Sequence, residues 1–346
     1  MSSLITRRQL VVAGLALPVA ARAAPARRII EGRHFVGTRP LVNDGWLDGG
    51  TALLAESYTT IRNCTFDNYG NGAIRAAQGG VDGLVVEDCS GSNFFRFFEN
   101  STWDSSPSSV LSNFTFRRIT AQKLDRGMIQ LKYGSNKGLI EDCIALAADD
   151  AVTYSCGFAL VGDVRDVQYR RCESHRFFEV GRTASQYWNG DGFSDERTNS
   201  GIRYHGCIAT QNADGGFDTK SAGVYLAECK ARGNKKNYRL WNTGHLEHCQ
   251  SETPTWRGGT GSTAHFAFQG GAGSRYVIRR PYVRATTTST APVFLFETTA
   301  PVVVDIYDAD IRALGAPLIK VIGPEPVINW YPARASQKIF VKTERG

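Results

Sequence analysis

Three segments in the middle of the chain combine acidic, basic and glycine residues in patterns that could support chemistry. They read Asn-Gly-Asp-Gly-Phe at 189–193, Asn-Ala-Asp-Gly-Gly-Phe-Asp at 212–218 and Asn-Lys-Lys-Asn-Tyr-Arg-Leu at 234–240. Carboxylates held close together destabilise one another unless a cation lies between them. A hard cation such as Ca²⁺ takes six to eight oxygen ligands in a tolerant geometry, so these acids predict a calcium site.

The same residue types also have a purely structural explanation. Asn, Gly and Asp favour the tight turns between strands, and each segment taken alone is better explained as a turn. Three such segments in succession, the last of which carries two lysines and an arginine, favour a functional site.

The elements that must position these segments follow from an internal repeat. An apolar residue lies three positions before a cysteine in seven segments, which end at Cys64, Cys89, Cys143, Cys172, Cys207, Cys229 and Cys249. Segments 116–119, 278–281 and 306–309 fit the same pattern with the cysteine replaced. Successive repeats are 20 to 35 residues apart, as expected for coils of three short strands with loops of varying length.

This repeat predicts an all-β fold, a single-stranded right-handed parallel β-helix (a β-solenoid) of about ten coils with end caps. Apolar residues alternate as in strands with one buried face, whereas a β-sandwich would need hairpin signals that are not systematic here. We expect one domain over 24–346, with an N-terminal cap at 24–50, coils at 51–315 and a C-terminal cap or tail at 316–346. Stacking at about 4.8 Å would align the cysteines and place the three segments on neighbouring coils.

Residues 1–23 have the pattern of an export signal. Arg7-Arg8 precedes a short apolar run, and Ala21-Arg-Ala23 offers a small-residue cleavage site. Paired arginines favour the twin-arginine route, which predicts a bacterial protein that is periplasmic or secreted. Cleavage removes three arginines and lowers the net charge from +7 to +4, a weak preference for acidic partners.

Eight cysteines in an exported protein would ordinarily indicate disulfides. Their positions follow the structural repeat, however, and the twin-arginine route exports proteins that are already folded. We therefore expect mostly free thiols that are buried in the core as small apolar groups.

The three segments resemble motifs of polysaccharide lyase family 9, the calcium-dependent pectate lyases built on a right-handed parallel β-helix. Sequences of that family look like Gly-Asp-Gly-Phe, Asn-Ser-Asp-Asp-Gly-Trp-Asp and Asn-Gly-Phe-Lys-Leu. The matching residues here are 190–193, 212–218 and 236–240. The resemblance covers about residues 185–245, and the remainder of the chain shares only the repeat architecture.

The resemblance implies roles for individual residues. Calcium would be held by carboxylates, with Asp195 or Glu196 replacing the family's second acid, which is Gly215 here; the candidate ligands are Asp191, Asp214, Asp218 and Asp195. Arg239 stands at the position of the family's catalytic lysine. Because the pKa of arginine is above 12, its neutral population is very small, so lysines are the alternative bases: Lys220, Lys235 and Lys236.

Such a site would cleave an acidic, uronate-containing polysaccharide such as pectate by β-elimination. A cation would stabilise the charge that develops beside the uronate carboxylate while a base removes the C5 proton. Candidates for substrate binding are Tyr187, Trp188, Lys235, Tyr238, Trp241 and His265. We expect an acidic polysaccharide as partner, no nucleic acid, no membrane after cleavage of the signal, and a monomer.

Other functions remain open on this fold. Asp149-Asp150, one coil earlier, would suit a polygalacturonase-like glycoside hydrolase if paired with Asp191, although the Gly-His-Gly and Arg-Ile-Lys sequences of those enzymes are absent. A uronate epimerase would share the proton abstraction. A non-catalytic carbohydrate-binding β-helix is the third alternative, because a fold does not determine a function.

Overall fold

A computed structural model of the chain describes residues 26–38, 50–76, 79–100, 109–149 and 154–342. The predicted export signal and Asp150 lie outside these residues, so both remain predictions of the sequence. The described residues form a parallel β-solenoid of about ten turns, which confirms the predicted fold class. Its only helical element in this part of the chain is the short 3₁₀ helix Arg334–Ser336. Nothing among the described segments forms a helix of the length and apolarity that a membrane crossing requires.

The described part of the chain contains thirty strands. In chain order they are β1 Arg28–Glu31, β2 His34–Val36, β3 Thr51–Ala55, β4 Thr59–Arg62, β5 Thr65–Ala76, β6 Val81–Asp82, β7 Val85–Glu99, β8 Leu111–Lys132, β9 Asn136–Ala147, β10 Cys156–Val161, β11 Arg165–Arg170, β12 Glu173–His175, β13 Asp191–Asp195, β14 Arg203–His205, β15 Ile208–Thr210, β16 Gly215–Thr219, β17 Val224–Ala227, β18 Lys230–Arg232, β19 Lys236–Leu240, β20 Gly244–Glu247, β21 Gln250–Glu252, β22 Ala264–Phe268, β23 Arg275–Arg279, β24 Tyr282–Arg284, β25 Phe294–Phe296, β26 Val303–Tyr307, β27 Asp310–Ala313, β28 Ile319–Val321, β29 Val327–Tyr331 and β30 Lys338–Val341.

The strands stack into three parallel ladders. The first ladder, which carries the candidate site, joins β3, β5, β7, β8, β10, β13, β16, β19, β22, β25 and β28. The long strands β5, β7, β8 and β9 run around the bends and contribute to more than one ladder. Stacking begins at Arg28 and continues to Val341, so the coils extend into both segments that we expected to be caps.

The cysteine repeat corresponds to a corner of the coil. The residue before each of these cysteines has a positive φ, for example 53° at Asn63, 52° at Asp88 and 56° at Glu228. The Sγ atom of Cys64 then donates to the carbonyl oxygen of Arg62 at 3.2 Å, and the other cysteines of the repeat make similar contacts. A small, weakly polar side chain therefore fits the inside of a tight bend. All eight cysteines are free thiols and seven of them are buried, as the sequence predicts.

A column of aromatic rings fixes the register of the coils that carry the site. Phe193 stacks on Phe158 and on Phe217 with ring centroids 4.9 Å apart in both pairs, and Tyr238 continues the stack. Each fully buried ring of this kind stabilises the fold by roughly 1.5–3 kcal/mol. Because the stacked rings lie on the inner side of the first ladder, the outward residues beside them are held at matching heights.

Candidate active site

In each coil that carries the candidate site, two consecutive residues of the first-ladder strand point into the interior of the solenoid. Gly192, Gly216, Asn237 and His265 form one inward column, and the aromatic rings beside them form the next. This bend interrupts the simple alternation of a strand. As a result, residues three positions apart, such as Lys236 and Arg239, both lie on the outer side, so the three chemically interesting segments share one outward face.

Asp191, Gly215 and Lys236 occupy equivalent outward positions in β13, β16 and β19. The amide nitrogen of Gly215 donates to Asp191 Oδ1 at 2.7 Å. A Cβ atom at position 215 would lie 2.9 Å from Asp191 Oδ1 and 3.0 Å from Asp218 Cβ. The glycine that replaces the family's second acid therefore occupies a crowded position between Asp191 and Lys236, where an added side chain would press against Asp191 and Asp218.

Arg239 is the hub of the buried charges. Its Nη1 donates to Asp214 Oδ2 at 3.0 Å and to the Tyr187 hydroxyl oxygen at 2.9 Å, and its Nε donates to Gln269 Oε1 at 2.8 Å. The Tyr187 hydroxyl in turn lies 2.6 and 2.7 Å from the two Asp214 oxygens. Burial alone would lower the pKa of Arg239, but Asp218 and Asp214 outweigh it and raise that pKa. Arg239 is therefore a fixed cation.

Asp218 lies on the other side of this hub. It accepts a hydrogen bond from Trp241 Nε1 at 2.6 Å, and Lys220 Nζ approaches its second oxygen at 3.6 Å. Lys220 also donates to Glu196 Oε1 at 2.6 Å. Burial would lower the pKa of Lys220, but Asp218 and Glu196 raise it above its ordinary value. Lys220, which is partly exposed, is thus a second permanent cation at the rim.

Lys235 and Lys236 behave differently, because burial lowers the pKa of both. Lys235 Nζ donates to the Thr260 carbonyl oxygen at 3.1 Å and lies 4.4 Å from the centre of the Tyr187 ring. Lys236 Nζ is 3.7 Å from Glu297 Oε2, which is longer than a hydrogen bond, and it makes no hydrogen bond to the described residues. Of the four cations, Lys236 is therefore the one without a hydrogen bond to the described residues, and it shares a lowered pKa with Lys235.

The acids of the site are also differentiated. Burial, followed by the neighbouring carboxylates of Asp218 and Asp214, raises the pKa of Asp191 well above its ordinary value. Burial and the Asp214 carboxylate likewise raise the pKa of Tyr187. A raised pKa favours the protonated form of each group, and both are partly exposed on the outward face. The site combines two groups of raised pKa with two amines of lowered pKa, which is the arrangement that acid–base catalysis uses.

Several predicted site residues lie elsewhere. Asp195 points into the coil, where it accepts hydrogen bonds from the Ser221 amide at 2.7 Å and the Tyr204 hydroxyl at 3.2 Å. Tyr238 and His265 are interior residues: Tyr238 belongs to the aromatic stack, and His265 bonds Ser251 Oγ at 2.7 Å. None of these three side chains faces the outward site, because the bend in the coil turns them inward.

Two further predictions are placed at the edge of the site or away from it. Trp188 packs against the glycines of the 258–261 segment and donates to the Thr183 carbonyl oxygen, so it lines the rim without contacting the acids. The Asp149 side chain is 81% exposed and pairs with Arg176. Asp150 lies outside the described residues, so the carboxylate pair expected for a hydrolase stays a prediction of the sequence.

Gln269 and Glu297 belong to the site although the sequence did not suggest them. Gln269 Nε2 donates to Glu297 Oε2 at 2.6 Å, and Ser262 Oγ donates to Glu297 Oε1 at 2.7 Å. Burial would raise the pKa of Glu297, but Lys236 and these donors lower it. Both residues follow the strands that continue the ladder beyond Trp241, so counting equivalent positions on later coils could have found them.

The calcium that the resemblance implies does not fit the residues present. Among the described residues, no group of three or more His, Cys, Asp or Glu side chains is arranged to hold a metal ion. Asp214 and Asp218 are already bonded to Arg239, Tyr187 and Trp241. The compensating charge that calcium would supply comes from Arg239 and the lysines, and we derive no step through a metal.

Comparisons with known proteins find only distant structural similarity. No family model and no curated relative matches the chain. Among solved structures, the A-module of an Azotobacter vinelandii mannuronan C-5 epimerase is similar, with 11% identity, 86% of this chain and 91% of that chain covered, and a TM-score of 0.46. The surface adhesin PfbA of Streptococcus pneumoniae is 9% identical, with 85% of this chain and 82% of that chain covered and a TM-score of 0.47. An alginate lyase from Paenibacillus is 9% identical, with 90% of this chain and 91% of that chain covered and a TM-score of 0.38.

Proposed function

We propose that the chain is a lyase that cleaves a uronate-containing polysaccharide by β-elimination, with Lys236 as the base. The observation that carries this proposal is the column Asp191–Gly215–Lys236, in which an acid of raised pKa and an amine of lowered pKa flank a glycine on the same outward face. Two coils separate the outer members by about 9.6 Å between backbones. Both side chains lie on the outward face, so one sugar ring that binds against this face can contact the two of them.

The reaction follows from the protonation states. The neutral amine of Lys236 removes the C5 proton, and the fixed cations Arg239 and Lys220 stabilise the negative charge that builds up on the uronate carboxylate. The C4–O4 bond then breaks, a C4=C5 double bond forms, and Asp191 donates its proton to the departing O4. Transfer of the proton from Lys236 back to Asp191 restores the resting site, and no water molecule is consumed.

Hydrogen bonding distinguishes Lys236 from the other cations. Arg239 donates to three partners and Lys220 to Glu196, and both have raised pKa values. The side chains of Lys235 and Lys236 are both buried, at 0% and 2% exposure, but Lys235 donates a hydrogen bond to the Thr260 carbonyl oxygen whereas Lys236 makes none to the described residues. The position at which the resemblance expects the base therefore holds an anchoring cation, and the base that we propose lies three residues earlier.

A glycoside hydrolase is the second candidate, and one observation favours it. Asp191 has a raised pKa and lies beside Asp214 and Asp218, so a proton-donating acid neighbours further carboxylates, as a hydrolase requires. The products separate the two reactions: elimination gives an unsaturated sugar that absorbs ultraviolet light, whereas hydrolysis gives new reducing ends without that absorbance.

The test compares wild type with Lys236→Arg and Lys236→Met on pectate, alginate and other polyuronates. Lys236→Arg keeps the positive charge but cannot act as a base at neutral pH, so we expect both variants to lose at least about 100-fold in kcat. Lys230→Met, at an exposed lysine of β18 on another ladder, is the matched control and should retain activity.

Three results would count against the proposal. Full activity of Lys236→Arg would show that Lys236 is not the base. Reducing ends without ultraviolet absorbance would replace the lyase with the hydrolase. Neither signal on any polyuronate would favour a carbohydrate-binding role. Thermal melting of each variant distinguishes loss of chemistry from loss of the fold.

A further inference from the structure

A second cluster of buried charges lies on the outward face of the same ladder, nearer the N-terminus. Three cations converge on the single carboxylate of Glu99: Arg75 Nη1 at 2.5 Å, Arg96 Nη1 at 2.9 Å and Lys132 Nζ at 2.6 Å. Arg75 and Arg96 are only 9% and 7% exposed. Surface ion pairs contribute little to stability, but buried charges are costly unless they are compensated, so three cations on one acid require an explanation.

The cluster has bonding capacity to spare. Arg75 Nε and Gln130 Oε1 are enclosed and have no hydrogen-bond partner among the described residues. Burial lowers the pKa of Arg96 and of Lys132, and although burial would raise the pKa of Glu99, the surrounding cations lower it. An additional anion at this position would relieve the excess positive charge and would satisfy the Arg75 donor.

The strand register connects this cluster to the candidate active site. Glu99, Gln130, Ala159, Ser194 and Asp218 occupy successive outward positions of one column. Four coils at about 4.8 Å place Glu99 roughly 19 Å from Asp218 along the axis. The two coils between Gln130 and Asp218 carry only the small side chains of Ala159 and Ser194 in this column, so no large side chain of the column interrupts the path.

Aromatic and cationic residues line one side of that path. Tyr154 lies between two guanidinium groups, with Arg126 Cζ 5.5 Å and Arg182 Cζ 5.1 Å from its ring centre. Arg182 Nη1 then donates to the carbonyl oxygen of Tyr187, whose hydroxyl group belongs to the active-site hub. Cations and exposed aromatic rings in a row suit a ligand that is both anionic and composed of sugar rings.

We propose that Arg75, Arg96 and Lys132 form a distal subsite that binds a carboxylate of the same polyuronate chain whose cleavage we assign to the Asp191–Lys236 site. The four coil spacings between Glu99 and Asp218 separate the subsite from the cleavage site by roughly 19 Å, so only an oligomer of several sugars reaches both. The substrate lies along the solenoid axis and crosses several coils. The substrate class of this inference rests on the proposed function, whereas the assignment of Lys236 as the base does not enter it.

The length of the oligouronate is the variable that tests the subsite. Calorimetric binding of a short oligouronate (about three sugars) and a long one (about eight sugars) is compared in wild type, Arg75→Gln and Glu99→Gln. In wild type the long oligomer should bind at least about tenfold more tightly than the short one. Arg75→Gln should abolish that advantage, and Glu99→Gln, which removes the competing carboxylate, should increase it.

Controls distinguish the subsite from a general effect of surface charge, from loss of the fold and from the lyase proposal. Arg165→Gln, at an exposed arginine paired with Asp163 on another ladder, should leave the length advantage unchanged, and melting curves should report a folded protein for every variant. An equal length advantage in wild type and Arg75→Gln would overturn the subsite. A length advantage that Arg75→Gln abolishes would support the subsite even if no polyuronate were cleaved, so the failure of the lyase proposal would be recognised separately.

Discussion

Replacing Arg239 by methionine tests whether this residue anchors the site. The change keeps the length of the side chain and removes its charge, which leaves Asp214 and Asp218 without their guanidinium partner at 2% and 4% side-chain exposure. Breaking a buried ion pair by removing one partner typically costs 3–5 kcal/mol. Lys235, 3.9 Å from Asp214, and the Tyr187 hydroxyl remain, so we expect a loss near the lower end, about 3 kcal/mol.

The assay is thermal unfolding at neutral pH. With an unfolding entropy of about 2.1 cal/mol/K per residue, a loss of about 3 kcal/mol corresponds to a decrease in Tm of about 4 °C for a chain of 346 residues. Arg165→Met is the matched control, because Arg165 and Asp163 approach even more closely, at 2.6 Å, but their side chains are 57% and 50% exposed. An exposed pair contributes roughly 0–1 kcal/mol, so the control should shift Tm by no more than about 1.5 °C.

The comparison has a clear negative outcome. If Arg239→Met lowers Tm no more than Arg165→Met, the buried ion pairs do not stabilise the site and Arg239 is not its anchor. Asp214→Asn combined with Arg239→Met should recover part of the loss, because the carboxylate that would be stranded is removed together with its partner.

Three further outcomes follow from the same contacts. Because the pKa of Lys236 is lowered and that of Asp191 is raised, kcat/KM should rise as Lys236 loses its proton and fall as Asp191 loses its own; a pH profile without both limbs would contradict the assigned roles. Gly215→Asp should lower Tm, since a Cβ atom there lies 2.9 Å from Asp191 Oδ1 and a further carboxylate joins the cluster; added Ca²⁺ should raise the Tm of this variant and leave that of wild type unchanged, and a wild-type increase would restore the calcium prediction. Burial lowers the pKa of His265 to about 3, so its neutral form stabilises the fold fully above pH ~6.5 and progressively less below; His265→Gln should therefore reduce the destabilisation at pH ~4.5 by about 2–3 kcal/mol in urea titrations, and equal acid sensitivity of the two proteins would refute this.

The overall architecture could be predicted from local patterns. Each coil repeats an apolar alternation and places a cysteine directly after a residue of positive φ, so the fold, the free thiols and the neighbouring positions of the three segments are all encoded within short stretches of chain. The spacing of the same repeat predicted that the segments containing Asp191, Asp214 and Arg239 lie on neighbouring coils.

The roles of individual side chains required the tertiary structure. In each coil that carries the site, the bend points two consecutive residues inward. Tyr238 and His265 are therefore buried in the core, which a regular alternation would not predict. The partner of Lys236 is Glu297, sixty-one residues later, and loops of variable length separate the two. The sequence predicted that Asp191, Asp214 and Arg239 lie on neighbouring coils. Because pKa values depend on burial and on such distant partners, only the folded chain decided that nearby acids raise the pKa of Arg239 and that burial lowers the pKa of Lys236.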